Sequence, residues 1–176
     1  MTKIKTLCIL LMCCFGSVVA NAASSFVFYS WQKILMSKNI NYNITEVEGE
    51  NGINQINCAR KGGEISVMNI SFYGDDGLFA DMTQEELLDM CKNMLEDMPR
   101  RMTLYSNVQA DPMRVDTSKK YPCVTQKYTA KVAGIPIVGD VIVFIQKGHI
   151  VLMILQADRN EYYEELKEMV ETVRVL

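Results

Sequence analysis

Few side chains in this 176-residue sequence are suited to chemistry. His149 is the single histidine, so any acid–base step that uses imidazole rests on it. Cys58, Cys91 and Cys123 are the cysteines beyond the N-terminal segment. A thiolate nucleophile needs a base within hydrogen-bond reach. Cys123 and His149 form the one Cys–His combination with both members at expected strand ends. They are the two side chains to look for in any pocket. The cysteine spacings of 33 and 32 residues match no metal motif. An oxidising compartment would allow one bridge with one thiol left over. Three small apolar residues packed inside is the reading these isolated positions favour. Asp75 and Asp76 sit between Gly74 and Gly77, but the further spaced acids and terminal glutamate of a calcium loop are missing, so a polar turn is expected. No G-x-S-x-G, H-E-x-x-H, P-loop or G-x-G-x-x-G occurs. No cofactor is expected, and as a beside-turn residue His149 is expected to be solvated.

These residues need elements to position them. The run from Gly139 to Arg159, GDVIVFIQKGHIVLMILQADR, is the most apolar beyond the N-terminus. Its halves, Val141 to Gln146 and Ile150 to Gln156, are too short for a membrane helix of about 20 residues. Lys147-Gly148 between them predicts a β-hairpin inside a sheet. Further strands are expected over 42–48, 53–60, 64–73, 104–109 and 123–132, with hairpin turns at Lys61-Gly62-Gly63 and Ala133-Gly134-Ile135-Pro136. The strand at 64–73 carries apolar residues on both faces and should be central. Thr83-Gln84-Glu85-Glu86 is a capping box. Leu87, Met90, Cys91, Met94, Leu95 and Met98 follow at helical spacing, and Pro99 ends the run. That methionine stripe fits the buried face of a helix better than an adaptable binding surface. A last helix, capped by Asp158 or Asn160, buries Tyr162, Leu166, Met169, Val170 and Val173. Phe28, Trp31, Ile34 and Leu35 suggest a short helix near residue 30, although Phe26-Val27-Phe28-Tyr29 also suits a strand.

The N-terminus has a basic start at Lys3 and Lys5, an apolar stretch from Leu7 to Val19, and Ala20-Asn21-Ala22 as a small-x-small cleavage signal. This is the pattern of a secretory signal peptide over residues 1–22. Cleavage leaves one domain over 23–176, with no stable membrane span. The net charge moves from −3 to −5 as the two lysines leave. A mildly acidic domain argues against nucleic acid as a partner. The expected location is exported, periplasmic or secreted. Asn43-Ile44-Thr45 and Asn69-Ile70-Ser71 match the glycosylation pattern, which matters only in a eukaryotic secretory host.

The strand GEISVMNISFYG, the helix MTQEELLDMCKNML, the hairpin GDVIVFIQKGHIVLMILQAD and the closing YYEELKEMVETVRVL resemble the PsbP-like fold. The resemblance implies an α+β domain: an antiparallel meander sheet flanked by helices, an α/β sandwich. Proteins of this kind include accessory and assembly proteins without catalysis, so the resemblance implies no substrate. The expected function is an exported, non-catalytic binding or accessory module acting on a protein partner or a small ligand. The alternative is a small secreted hydrolase using Cys123 or a carboxylate pair.

Overall fold

A computed structural model describes residues 26–49, 52–96, 98 and 104–176. The expected signal peptide and Pro99 lie outside these residues. The elements run β1 (Phe26–Trp31), β2 (Ile34–Asn39), β3 (Tyr42–Glu48), β4 (Asn54–Arg60), β5 (Ser66–Gly74), α1 (Gln84–Glu96), β6 (Tyr105–Ala110), β7 (Arg114–Val115), β8 (Cys123–Val132), β9 (Ile135–Gln146), β10 (His149–Ala157), α2 (Asn160–Glu171) and β11 (Arg174–Val175). The fold is α+β and mostly antiparallel. Its main sheet has the order β3-β4-β5-β10-β9-β8-β6, with β7 pairing β8 at one end. Two three-stranded meanders, β3 to β5 and β8 to β10, are thus joined by the β5–β10 ladder.

Residue parity decides which side chains enter which layer. On β9, Ile142 and Phe144 join one apolar layer, while Val141, Val143 and Ile145 join the other. The first layer also takes Met68, Ile70 and Phe72 of β5 and is covered by β2 and α2. The second is covered by α1, which packs on β8 and β9 through Leu87, Cys91 and Leu95. The apolar run that starts at Gly139 is therefore two central strands of a double-sided core. Among the described residues no helix is long and apolar enough to cross a membrane.

The capping box forms as its spacing predicts. The Thr83 backbone N–H donates to Glu86 Oε2 at 2.8 Å, and the Glu86 N–H donates to Thr83 Oγ1 at 3.3 Å. The Thr83 N–H, and the Thr83 hydroxyl that donates to the same oxygen at 2.9 Å, hold the Glu86 carboxyl below its ordinary range.

Four local expectations are corrected. The segment near residue 30 is a hairpin, not a helix. Ile34 and Met36 are buried on alternate residues of β2, and the chain reverses at Gln32, whose φ is +50°. The apparent helical spacing of Trp31 with Ile34 spans that turn. The cap of α2 is also different. Arg159 occupies the cap position in an extended conformation with no side-chain cap bond. Asp158 remains tied to the sheet by its N–H, which donates to the Ile65 carbonyl at 2.9 Å. The turn after β8 is only Ala133-Gly134, and Pro136 already belongs to β9, paired with Lys131. Lastly, His149 is not solvated but 3% exposed.

Candidate functional site

His149 owes its burial to two backbones that meet at the tip of the β9–β10 hairpin. Lys147 and Gly148 form a two-residue turn with φ of +49° and +76°, the positive pair that matches strand twist. His149 is the first residue of β10 and pairs with Gly74 at the end of β5. The loop following Gly74 packs directly against the turn. A Cβ at Gly148 would collide with the Asp75 carbonyl oxygen and lie 2.8 Å from the Gly77 nitrogen. A Cβ at Gly74 would collide with the Gly148 carbonyl oxygen and lie 3.0 Å from His149 Cα. Only glycine permits this approach at both positions.

The imidazole is oriented by one hydrogen bond. Nδ1 lies 2.9 Å from the Lys147 carbonyl oxygen, which can only accept, so Nδ1 carries the hydrogen. Asp76 Oδ1 is 3.9 Å from the same nitrogen and is largely exposed. Nε2 makes no hydrogen bond among the described residues and in the neutral ring bears a lone pair. His149 lines a cavity of about 430 Å³ together with Gln32, Lys33, Asn54, Tyr73 and Asp75. Lys33 reaches Asp76 at 3.4 Å, and Gln32 donates to Glu48 at 3.1 Å. The Asp75 carboxylate has no partner among the described residues.

A second cavity, of about 720 Å³, opens on the other side of the loop and turn. It runs from Asp76 and Gly77 past Lys147 and Gly148 to Tyr121 and the start of α1. A third, of about 610 Å³, lies along α1, where Met90, Met94 and Met98 face Leu152. The methionine stripe is therefore divided. Leu87, Cys91 and Leu95 are buried as expected, and the methionines beside them are half-buried along an open groove.

Cys123 lies elsewhere. It pairs with Phe144, which pairs with Val151, so it shares a sheet face with His149 but is two strands away and two residues along. Strand spacings put the two Cα atoms roughly 12 Å apart. Phe144 and Val151 stand between them, and the two side chains line different cavities. Burial, with a smaller contribution from Asp116, pushes the Cys123 thiol up to about 12, the wrong direction for a nucleophile. Cys58 and Cys91 are likewise buried and free, with thiols pushed up by burial to about 12 and about 11. All three pack as apolar residues, as expected. Asp140 is a carboxyl raised by burial. Tyr163 donates to it at 2.7 Å, and Lys127 and Lys167 lie over the Tyr163 ring. The phenol and the two ammonium groups oppose that shift and Glu164 adds to it, with burial the largest effect.

Sequence reasoning named His149 but misplaced it. The signal was present in the alternation: His149 has the same parity as Val151, Met153 and Leu155, all buried. Lys33 and Asn54 carried no signal as site residues, and Asp75 was read as part of a polar turn, because only the tertiary fold brings the three to the hairpin tip.

No family model matches the chain, and no curated protein sequence matches it. Solved structures do. The solution structure of cyanobacterial PsbP (CyanoP) from Synechocystis sp. PCC 6803 superposes with a TM-score of 0.62 at 11% identity, covering 92% of this chain and 98% of that one. A protein from Bacteroides thetaiotaomicron VPI-5482 superposes with a TM-score of 0.53 at 9% identity, covering 81% of this chain. The match spans 45% of that longer protein. At these identities the likeness concerns the fold alone, and it is the one the sequence resembles: this chain has a PsbP-like fold.

Proposed function

We propose that this chain is an exported, non-catalytic binding module that holds a small ligand at the tip of the β9–β10 hairpin. The observation that supports this reading best is the buried imidazole on the wall of a cavity of about 430 Å³. Binding cavities commonly fall in the range of about 300–1,000 Å³ and carry a few convergent polar groups. Among the described residues the site contains an oriented imidazole and no activated nucleophile, which suits retention of a ligand more than its conversion. The main sheet with a helix on each face is read as an α/β sandwich that serves as a rigid support for this tip. The PsbP-like resemblance agrees with an accessory role. The N-terminal pattern supports export, with a single domain beginning at Ala23 after cleavage.

The test has two arms. N-terminal sequencing of the protein from its host should return Ala23 outside the cytoplasm, and an intact Met1 in the cytoplasm would defeat export. Native mass spectrometry of the same material should find a small molecule bound. Leu78→Trp, which fills the His149 cavity from an exposed wall residue, should release it. Equal retention by the folded variant would remove the cavity from the argument.

A further inference from the structure

Resting on that reading, the lining of the His149 cavity points to the class of ligand. The Lys147 carbonyl commits Nδ1–H, so a neutral form of the ring would offer its lone pair at Nε2. Asp75 offers a carboxylate with no partner among the described residues. The Asn54 and Gln32 side-chain amides can each donate as well as accept. Gln32 already spends its amide N–H₂ on Glu48, at 3.1 Å. Among the described residues the cation on the wall is Lys33, which pairs with Asp76 at 3.4 Å. The amides can serve either role, so charge decides: with Lys33 paired, the Asp75 carboxylate leaves a negative balance for a ligand. An anion would meet Asp75. A hydroxyl would bring one donor and add acceptors of its own. An ammonium brings three donors, no acceptor and a positive charge.

We infer that this cavity binds a small organic primary amine, its ammonium held by His149 Nε2 and the Asp75 carboxylate. Leu78 is 52% exposed, so the amine's apolar body has a surface to cover. The buried ring supplies a donor-seeking atom that cannot turn away, because the Lys147 carbonyl fixes its plane.

His149 is the only histidine in the sequence, so its imidazole nitrogens give unambiguous NMR signals. Benzylamine titrated into the isolated protein should shift the Nε2 resonance saturably. Benzyl alcohol, the uncharged counterpart, should do so only at much higher concentration. Asp75→Asn, a change at an exposed residue, should weaken benzylamine by at least about tenfold, the size of a charge-assisted hydrogen bond. Lys33→Met should leave benzylamine binding no weaker. If both probes move the signal with equal affinity, the cavity binds but the ammonium assignment is wrong. If neither moves it, the cavity reading fails as well. Unchanged benzylamine affinity in Asp75→Asn would also overturn the assignment.

Discussion

Replacing Gly148 by alanine separates two costs that usually arrive together. Gly148 and Gly134 occupy the second position of two-residue turns with nearly the same backbone, φ of +76° after Lys147 at +49° and φ of +85° after Ala133 at +49°. A side chain at either position pays the left-handed penalty of about 1–2 kcal/mol. Their surroundings differ. Around Gly134 nothing lies within 4 Å of an added Cβ. At Gly148 the Cβ would overlap the Asp75 carbonyl oxygen and crowd the Gly77 nitrogen at 2.8 Å, both backbone atoms that no side-chain rotation can move. Relief requires the 74–78 loop to lift from the turn, and overpacking of that kind costs about 1–3 kcal/mol more. Gly134→Ala should therefore lose about 1–2 kcal/mol in urea unfolding and Gly148→Ala about 2–5 kcal/mol. Gly148→Ala should also change the chemical shifts of His149, while Gly134→Ala should not. Equal losses in the two variants, with His149 undisturbed, would refute the close approach that buries the histidine.

Leu155 is fully buried between the two meanders, so Leu155→Ala should cost about 2–5 kcal/mol by urea denaturation, and the half-buried Leu152→Ala clearly less. Thr83→Ala should cost about 1 kcal/mol through loss of the α1 cap. The Glu86 carboxyl is lowered in the folded chain, so its stabilising effect is present above the ordinary glutamate range and lost as the pH falls through the folded value. Glu86→Gln should accordingly be less stable than the parent near neutrality, and the gap should close in acid; a gap that persists there would count against the reciprocal cap. Burial raises the Cys58 and Cys123 thiols to about 12 from 9.0, which leaves roughly a thousandfold less thiolate at pH 8. Peptide mapping after iodoacetamide should find both unlabelled until the chain is unfolded in urea.

The sequence made local pairings legible and long-range contacts illegible. Lys147-Gly148 and Lys61-Gly62-Gly63 announce hairpins because the turn chemistry and both strands lie within 25 residues. The Thr83–Glu86 box does the same for α1, since its partners are three residues apart. Asp158 and Glu161 have the same spacing without the same result, because the Asp158 N–H is bonded to the Ile65 carbonyl just past the β5–β10 ladder and α2 starts one residue later. The helix–strand ambiguity near residue 30 is settled only by distant packing, where Ile34 and Met36 meet the layer under α2. The candidate site was least legible. Its histidine was visible, but the loop that covers it comes from about 75 residues earlier in the chain. What makes the contact possible is the absence of two Cβ atoms, a feature with no signature in hydrophobic period.

The pairing of β11 with β2 bears on the order in which the chain can become native. Arg174 pairs with Leu35, Val175 with Ile34, and the Leu176 N–H donates to the Lys33 carbonyl at 2.8 Å. The β1–β2 hairpin thus has one side left open until residues 174–176 are available to close it. In a chain delivered from its N-terminus, whether from a ribosome or through a translocation channel, β2 emerges early and waits with an unsatisfied edge. Loop closure across about 140 residues is slow relative to local hairpin formation. Vectorial delivery should therefore pass through a state in which both meanders can pair but this seam is open, and that interval is when β2 is exposed to pairing with a neighbouring chain. The same seam ties the backbone of Lys33, on the wall of the His149 cavity, to Leu176, so opening it should be felt at that wall.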